Sequence, residues 1–149
     1  MKLTMSSEMG IHAVWFLATL DTGEPVLSAA VAEGISVSES YLIKVLKKLV
    51  TARILASRKG KRGGYMLKKK PQQITIGDIV DACEGTARIY YCQKEERGCL
   101  ASRSCPVCAT LGRASDALYR ELHATRVSDL LEHGWKTPLP TSATNLQEK

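Results

Sequence analysis

The spacing of hydrophobic residues predicts one helix near the N-terminus and two helices in the second half of the chain. Residues 8–19 place Ile11, Val14, Trp15 and Ala18 on one stripe, and the Asp-Thr-Gly-Glu-Pro sequence that follows ends this helix. Residues 74–83, ITIGDIVDAC, predict a second helix that packs against the first. Residues 110–131 predict a long helix with its apolar positions on one side: Leu111, Ala114, Leu118, Leu122, Val127, Leu130 and Leu131.

Two shorter helices are predicted between the first of these helices and the second. Ser28 is placed to cap the segment SAAVAEG, which stops at Gly34. Ser38 is placed to cap a second helix with hydrophobic residues at helical spacing: Tyr41, Leu42, Val45, Leu46 and Leu49. A short helix, a tight turn and a second helix with polar residues at its start predict a helix-turn-helix.

The segment ILASRKGKRGGYML follows directly and predicts a β-hairpin. Residues 54–58 and 64–67 form two strand-like pieces around a basic, glycine-rich turn. A hairpin in this position is called a wing. We therefore expect a mainly α fold with a small β-hairpin wing, that is, a winged helix-turn-helix followed by a long C-terminal dimerisation helix.

This pattern divides the chain into four parts. We expect a winged helix-turn-helix over residues 1–83, a cysteine-rich loop over 84–109 and a dimerisation helix over 110–133. The tail, 134–149, is rich in Pro, Ser and Thr and is predicted to be disordered. Because a polar loop separates the long helix from the core, we expect its apolar stripe to cover a second copy of itself rather than its own domain.

Composition and charge narrow the possible partners. The chain has 149 residues, no signal-peptide cleavage site and no apolar run of the roughly 18 residues that a membrane helix needs, so a cytoplasmic protein is expected. The net charge is +6, yet residues 44–70 hold eleven of the 21 Lys and Arg residues and no acid, which leaves a balance of −5 elsewhere. Such a concentrated cationic face favours a polyanion as partner.

The helix-turn-helix and its wing supply the candidate DNA contacts. The start of a recognition helix meets base edges, and the lysines one turn later are expected to contact phosphates. Glycines let a hairpin tip approach a phosphate backbone, and Arg can enter a narrow minor groove. The candidates are Ser38, Ser40, Tyr41, Lys44, Lys47, Lys48, Arg58, Lys59, Lys61, Arg62, Gly63 and Gly64.

Four cysteines lie within the polar segment CQKEERGCLASRSCPVC: Cys92, Cys99, Cys105 and Cys108. A disulfide knot is disfavoured in a reducing compartment. A zinc knuckle usually shows two C-x-x-C pairs, and only Cys105 and Cys108 form one, so an iron–sulfur site is slightly favoured. Cys83 lies apart, in an apolar helical run, and is expected to be a core thiol.

Glu8 and His12 lie four residues apart and project from the same face of the first helix. They are interpreted as a surface hydrogen-bonded pair or, alternatively, as two ligands that are not thiolates, since imidazole can replace thiolate in iron–sulfur sites.

Several motifs in order resemble the IscR/NsrR/RsrR group of winged-helix iron–sulfur transcriptional regulators (the Rrf family). They are MKLTMSSE, SYLIKVLKKLVTARIL, GKRGGYML, ITIGDIVDACEG and the triplet Cys92, Cys99 and Cys105, and the resemblance covers residues 1 to about 133. It implies a dimeric regulator of transcription with an iron–sulfur cluster between the wing-bearing domain and the partner's N-terminal helix.

The resemblance also implies two ligand sets. Glu8, His12, Cys92 and Cys105 match the members with a 2Fe–2S cluster, whereas Cys92, Cys99 and Cys105 with Glu8 match those with a 4Fe–4S cluster. Because Glu8 and His12 are both present, the 2Fe–2S set is favoured. Cys99 is then a spare candidate and Cys108 the weakest one.

The sequence thus favours a homodimeric DNA-binding regulator whose affinity for operator DNA depends on its cluster. The alternative is a cluster-free thiol-redox or zinc-bound winged-helix regulator. A cluster carrier that does not bind DNA is disfavoured by the basic wing. An enzyme is not expected, because no phosphate-cradling loop or carboxylate pair is present.

Overall fold

The N-terminal helix α1, Met5–Leu20, lies at the centre of the fold in the computed structural model, which describes residues 3–85 and 105–132. Helices from four other parts of the chain and one strand pack around it. Its hydrophobic surface is therefore wider than one stripe, with Ala13, Val14, Phe16, Leu17 and Ala18 all buried. The predicted stripe was partly wrong, since Ile11 and Trp15 are only half-buried.

The helix-turn-helix is confirmed. It consists of α2, Ser28–Gly34, and α3, Glu39–Thr51. The predicted cap at Ser28 was wrong: Leu27 is the N-cap, and the Ser28 hydroxyl donates instead to the Glu39 carboxylate at 2.6 Å. Ser38 is the N-cap of α3, but its side chain makes no capping hydrogen bond. Leu42, Val45, Leu46 and Leu49 are buried as predicted, whereas Tyr41 is 39% exposed.

The wing is also confirmed, as an antiparallel pair of strands, β1 (Leu55–Arg58) and β2 (Gly64–Leu67). The register pairs Leu55 with Leu67 and Arg58 with Gly64. One further bridge attaches the hairpin to the segment before α2, because Val26 and Tyr65 exchange two backbone hydrogen bonds of 2.8 Å. The wing is thereby fixed to the helix-turn-helix at its base.

Helix α4, Ile76–Glu84, packs against α1 as predicted, and it also packs against α3. The side chains of Thr75 and Asp78 form a capping box at its start, and each accepts a backbone N–H of the other residue at 3.0 Å. Cys83, in the last turn, is 5% exposed and belongs to the core, which confirms its prediction.

The predicted helix over 110–131 is interrupted. The structure has α5, Pro106–Ala124, and α6, Val127–Glu132, separated by an extended Thr125. The break occurs because the backbone around Thr125 and Arg126 pairs with residues 74–76: Ile76 donates to Thr125 O at 2.9 Å and Val127 donates to Ile74 O at 2.9 Å. Val127 is fully buried, so α6 belongs to the core of the winged helix.

Helix α5 contacts the core through its C-terminal end. His123 Nε2 lies 3.2 Å from Asp81 Oδ2, and its ring rests directly over Gly77, where a side chain would collide with it. Tyr119 stacks on the His123 ring with centroids 6.1 Å apart. Elsewhere on α5 only Ser115 is buried, and Val107 and Leu111 are 61% and 38% exposed.

The predicted cysteine loop and tail fall largely on residues 86–104 and 133–149, outside the described residues, so the four-part division stays a prediction. No helix in the part of the chain that the structure describes is long and apolar enough to cross a membrane.

Candidate nucleic-acid interface and metal ligands

The second helix of the helix-turn-helix has two faces of opposite character. Its buried residues follow helical spacing on the side that contacts α1 and α4, and the opposite side exposes Ser40, Lys44 and Lys47. These positions are four and three residues apart, so they form one polar, cationic stripe. A helix anchored by one face and cationic on the other is suited to enter the major groove of a duplex.

The first turn of α3 is organised by side-chain hydrogen bonds. Ser38 and Ser40 join through their hydroxyls at 2.9 Å, and the Glu39 carboxylate accepts from Ser28. Tyr41 is exposed beside them. The sequence prediction omitted Glu39, although its place between two candidate serines was the available signal. A carboxylate there can accept a hydrogen bond from the amino group of cytosine.

The cations of the wing are exposed: Arg58, Lys59, Lys61 and Arg62. Arg58 Nη1 lies 3.9 Å from Glu24 Oε2, and the two side chains are 65% and 78% exposed. An ion pair this exposed is worth little, so it leaves Arg58 able to exchange Glu24 for another anion.

The two glycines of the wing have a role inside the hairpin. Gly63 is buried and donates to Gly60 O at 2.9 Å, and a side chain there would collide with Arg58 O. Gly64 has φ +147° and lies against the backbone of Val26, where a side chain would also collide. Gly63 is therefore required by the turn of the hairpin and Gly64 by the attachment of the wing, and their contact with DNA stays a prediction.

Lys48 makes a contact within the protein that the sequence did not predict. Its ammonium donates to the backbone oxygen of Cys83 at 2.6 Å, at the C-terminal end of α4. A cation is favoured there by the partial negative charge of a helix C-terminus. Lys47 and Lys48 are both exposed, but only Lys48 is described with a hydrogen bond to α4.

Glu8 and His12, the two predicted ligands of the first helix, are both exposed on α1. His12 Nδ1 lies 2.9 Å from the backbone oxygen of Glu8, so this nitrogen bonds within the helix. The Nε2 atom faces away from that contact. A bond at one ring nitrogen fixes the orientation of an imidazole and leaves the other nitrogen for a metal.

Cys105 and Cys108 lie together at the start of α5. Cys105 is the N-cap of α5. The pKa of its thiol is lowered, first by the backbone N–H groups of Cys108 and Val107 and then by the Cys108 side chain. A lowered pKa favours the thiolate, the form that binds metals and reacts with oxidants.

The predicted ligands that lie within the described residues do not come together in one metal site. No group of three or more His, Cys, Asp or Glu side chains in residues 3–85 and 105–132 is placed to hold a metal ion. Cys92 and Cys99 lie outside these ranges. The structure describes two separate pairs of candidate ligands, one on α1 and one at the start of α5.

Comparison with known proteins gives one family match over most of the chain. The Rrf2 family, described as iron-dependent transcriptional regulators, matches residues 3–133. The protein Rrf2 of Nitratidesulfovibrio vulgaris is 31% identical over 131 residues, which are 88% of this chain and 87% of that protein. The transcriptional regulator NsrR of Geobacillus kaustophilus is 30% identical over 133 residues, 89% of this chain and 90% of that one.

The fold is similar to that of a solved structure with a different description. CymR of B. subtilis, described as a global cysteine regulator, superposes with a TM-score of 0.74 at 25% identity. The match covers 91% of this chain and 99% of CymR. The winged helix and the helix that follows it are therefore shared with regulators of more than one description.

Proposed function

The chain belongs to the Rrf2 family of DNA-binding transcriptional regulators, and we propose that it is a homodimer whose affinity for operator DNA is set by a bound iron–sulfur cluster. The observation that carries the DNA-binding part is the exposed stripe Ser40, Lys44 and Lys47 on a helix whose other face is buried in the core. The basic wing extends this cationic surface.

Each side chain of this surface has a distinct task in the proposed complex. Ser38, Ser40, Tyr41 and Lys44, at the start of α3, contact base edges and the adjacent backbone. Lys47 contacts a phosphate one turn later. Lys59, Lys61 and Arg62 follow the neighbouring groove from the wing tip. Arg58 joins them by releasing Glu24.

The exposed apolar residues of α5 support the homodimer. Val107 and Leu111 are large hydrophobic side chains that the described part of their own chain leaves exposed. A second α5 packed against them removes this surface from water. Two copies of α3 then face two half-sites about one turn of DNA apart.

The donor chemistry of the described residues fits an iron–sulfur cluster. Glu8 offers a carboxylate, His12 a free ring nitrogen, and Cys105 a thiol that its hydrogen bonds favour as thiolate. Because no three ligands meet in the described part of one chain, a full set needs both copies or the remaining thiols. Glu8, His12, Cys92 and Cys105 would hold a 2Fe–2S cluster, with Cys99 as the further candidate and Cys108 the weakest.

Such a cluster, when bound, supplies a cross-link that is sensitive to redox state and iron supply. The residues of this chain convert it into a change of shape: Glu8 and His12 hold α1, Cys105 holds the start of α5, and both helices pack on the element that supports α3. A free-energy coupling of about 1–3 kcal/mol would change DNA affinity by roughly 5- to 150-fold.

Anaerobic purification tests this proposal. We expect a coloured protein with iron and sulfide in equal amounts, and a loss of that absorption in His12→Ala. A duplex selected from a random pool should bind, and Lys44→Ala should weaken that binding by about tenfold, or ~1.4 kcal/mol. A colourless protein with stoichiometric zinc would overturn the cluster and leave the DNA-binding regulator in place.

A second candidate function is favoured by the geometry at the start of α5. Cys105 and Cys108 are joined by a hydrogen bond, and the Cys105 pKa is lowered. Hydrogen peroxide can oxidise two such thiols to a disulfide with release of two water molecules. The second candidate function is therefore that of a cluster-free regulator that senses thiol oxidation. A change of DNA affinity with peroxide in iron-free protein, absent in Cys108→Ser, would select it.

A further inference from the structure

Three helices meet unusually closely at the last turn of α4. A β-carbon added at Gly10 of α1 would lie 2.8 Å from Cys83 Sγ and 3.1 Å from Ile79 Cγ2, both on α4, and 3.6 Å from Val45 Cγ1 on α3. Cys83 is buried, and burial is the main cause that raises the pKa of its thiol. The thiol therefore acts as a small apolar side chain that lets α1, α3 and α4 approach each other.

Glu84, the last residue of α4, binds the beginning of α1. Its Oε1 atom accepts from the backbone N–H and the hydroxyl of Thr4, both at 2.9 Å, and from the hydroxyl of Ser7. Ser7 is fully buried, so its hydroxyl depends on this partner. One carboxylate oxygen thus holds both the N-cap and the first turn of α1.

Lys48 binds the same turn of α4 from the recognition helix. Its ammonium donates to Cys83 O, the carbonyl group of the residue before Glu84. The contact joins side chain to backbone across 35 positions of the sequence. Two neighbouring residues of α4 are therefore bonded to two different helices: Glu84 to α1, and Cys83 to α3 through Lys48.

The last turn of α4 lies close in the sequence to one group of candidate ligands and is bonded to the helix that carries the other. Glu84 and Gly85 are the last described residues before the segment that contains Cys92 and Cys99, and α1 carries Glu8 and His12. Beside the direct packing of α1 on α3, this turn provides a second connection from the candidate ligands on α1 to α3, through the bonds of Glu84 and Lys48.

We propose that the last turn of α4 is the relay between the metal ligands and the recognition helix, with Glu84 and Lys48 as its positioning residues. The inference rests on the proposed function and deepens it. Glu84 keeps the ligand-bearing helix α1 in register with α4, and Lys48 transmits a displacement of that turn to α3. Neither residue contacts the metal or the DNA in this role.

Lys48→Met and its neighbour Lys47→Met form a matched pair that tests the relay. For each protein, affinity for one selected duplex is measured with the cluster reconstituted from iron and sulfide and again after chelation. Lys48→Met should retain wild-type iron and sulfide content but reduce the ratio of the two affinities at least threefold. Lys47→Met should weaken both states equally, keep the ratio and lower the salt dependence by about one counterion.

Two results with Lys48→Met would overturn the relay. If both affinities fall equally and the salt dependence drops, Lys48 is a phosphate contact. If the ratio stays at the wild-type value, the contact with Cys83 O carries no signal. If the wild-type protein takes up no iron, or if its affinity for the duplex does not depend on the cluster, the proposed function is overturned, and the relay with it.

Glu84→Ala supplies a readout that needs neither cluster nor DNA. In iron-free protein, amide hydrogen exchange in the first turn of α1, at Ser7 and Glu8, should accelerate at least tenfold, with little change at the end of α1. Glu84→Gln, which keeps an acceptor oxygen, should restore part of the protection. Unchanged exchange in Glu84→Ala would show that the carboxylate does not position α1 and would overturn its share of the relay.

Discussion

The helices before the cysteine segment and the long helix after it are stabilised in different ways. Helices α1, α3 and α4 bury their hydrophobic residues within one chain, including Phe16, Leu42 and Leu46, which are fully buried. Helix α5 has 19 residues, yet among the side chains described only Ser115 is buried. The winged helix therefore folds on contacts within its own chain, and the exposed side of α5 is the surface that would pack on a second copy in the proposed homodimer.

Removal of a large side chain from the core of the winged helix should have the largest effect on stability. Phe16→Ala should lower the free energy of unfolding by about 3–5 kcal/mol, because it leaves a cavity between α1 and α2. Leu111→Ala on α5 should cost less than about 1 kcal/mol at low protein concentration. Urea denaturation of both variants measures this, and equal losses would contradict the proposed difference.

The close approach of α1 to α4 can be examined by overpacking. Gly10→Ala should destabilise the protein by about 1–3 kcal/mol, since the new methyl group meets Cys83 Sγ. Adding Cys83→Ala should recover part of that loss by making room. A double-mutant cycle on unfolding free energies gives the coupling, and additive losses would show that the two residues do not compete for space.

A charge on the apolar side of α5 should affect association rather than folding. Leu111→Asp should weaken the dimer at least tenfold, or by about 1.4 kcal/mol, because a carboxylate would be buried without a partner. Ala109→Asp is the control, since residue 109 lies on the opposite side of α5 and is exposed. Sedimentation equilibrium measures both. If the wild-type protein is a monomer, Leu111 does not lie in a dimer interface, and the prediction is contradicted.

The smallest effect is expected from pH. Burial alone would raise the pKa of Glu84, but hydrogen bonds from Ser7 and Thr4 and the charge of Lys48 outweigh it, so the pKa is lowered. A lowered pKa in the folded state contributes stability above the ordinary value of 4.5 that is lost as pH falls through the folded-state pKa. Glu84→Gln should therefore flatten the decline of stability below about pH 4.5, and an identical decline would contradict this.

The sequence predicted the helix-turn-helix and wing well because their hydrophobic periods are short and local. Leu42, Val45, Leu46 and Leu49 reveal the buried face of α3, and the glycine-rich turn reveals the hairpin. These signals depend on residues a few positions apart. The break at Thr125 had no such signal, because it is caused by backbone pairing with residues some fifty positions away.

The candidate site was predictable in its residue types and less so in its contacts. The lysines of α3 were recognised by charge, but charge could not show that Lys48, exposed like Lys47, donates to Cys83 O. Glu84 and Ser7 were missed because a single acid and a single serine carry no motif. Their importance follows only from tertiary distances.

The attachment of α5 at one end has a consequence for the size of the movements it can make. His123 and the backbone around Thr125 fix its C-terminus to α4 and to the segment just before it, while Cys105 lies at the opposite end. A helix of 19 residues is about 28 Å long, so a rotation of only 10° about the fixed end would displace the thiol by about 5 Å. A small rotation beside Gly77 would therefore be enlarged along α5 to a displacement of several ångströms at the cysteine.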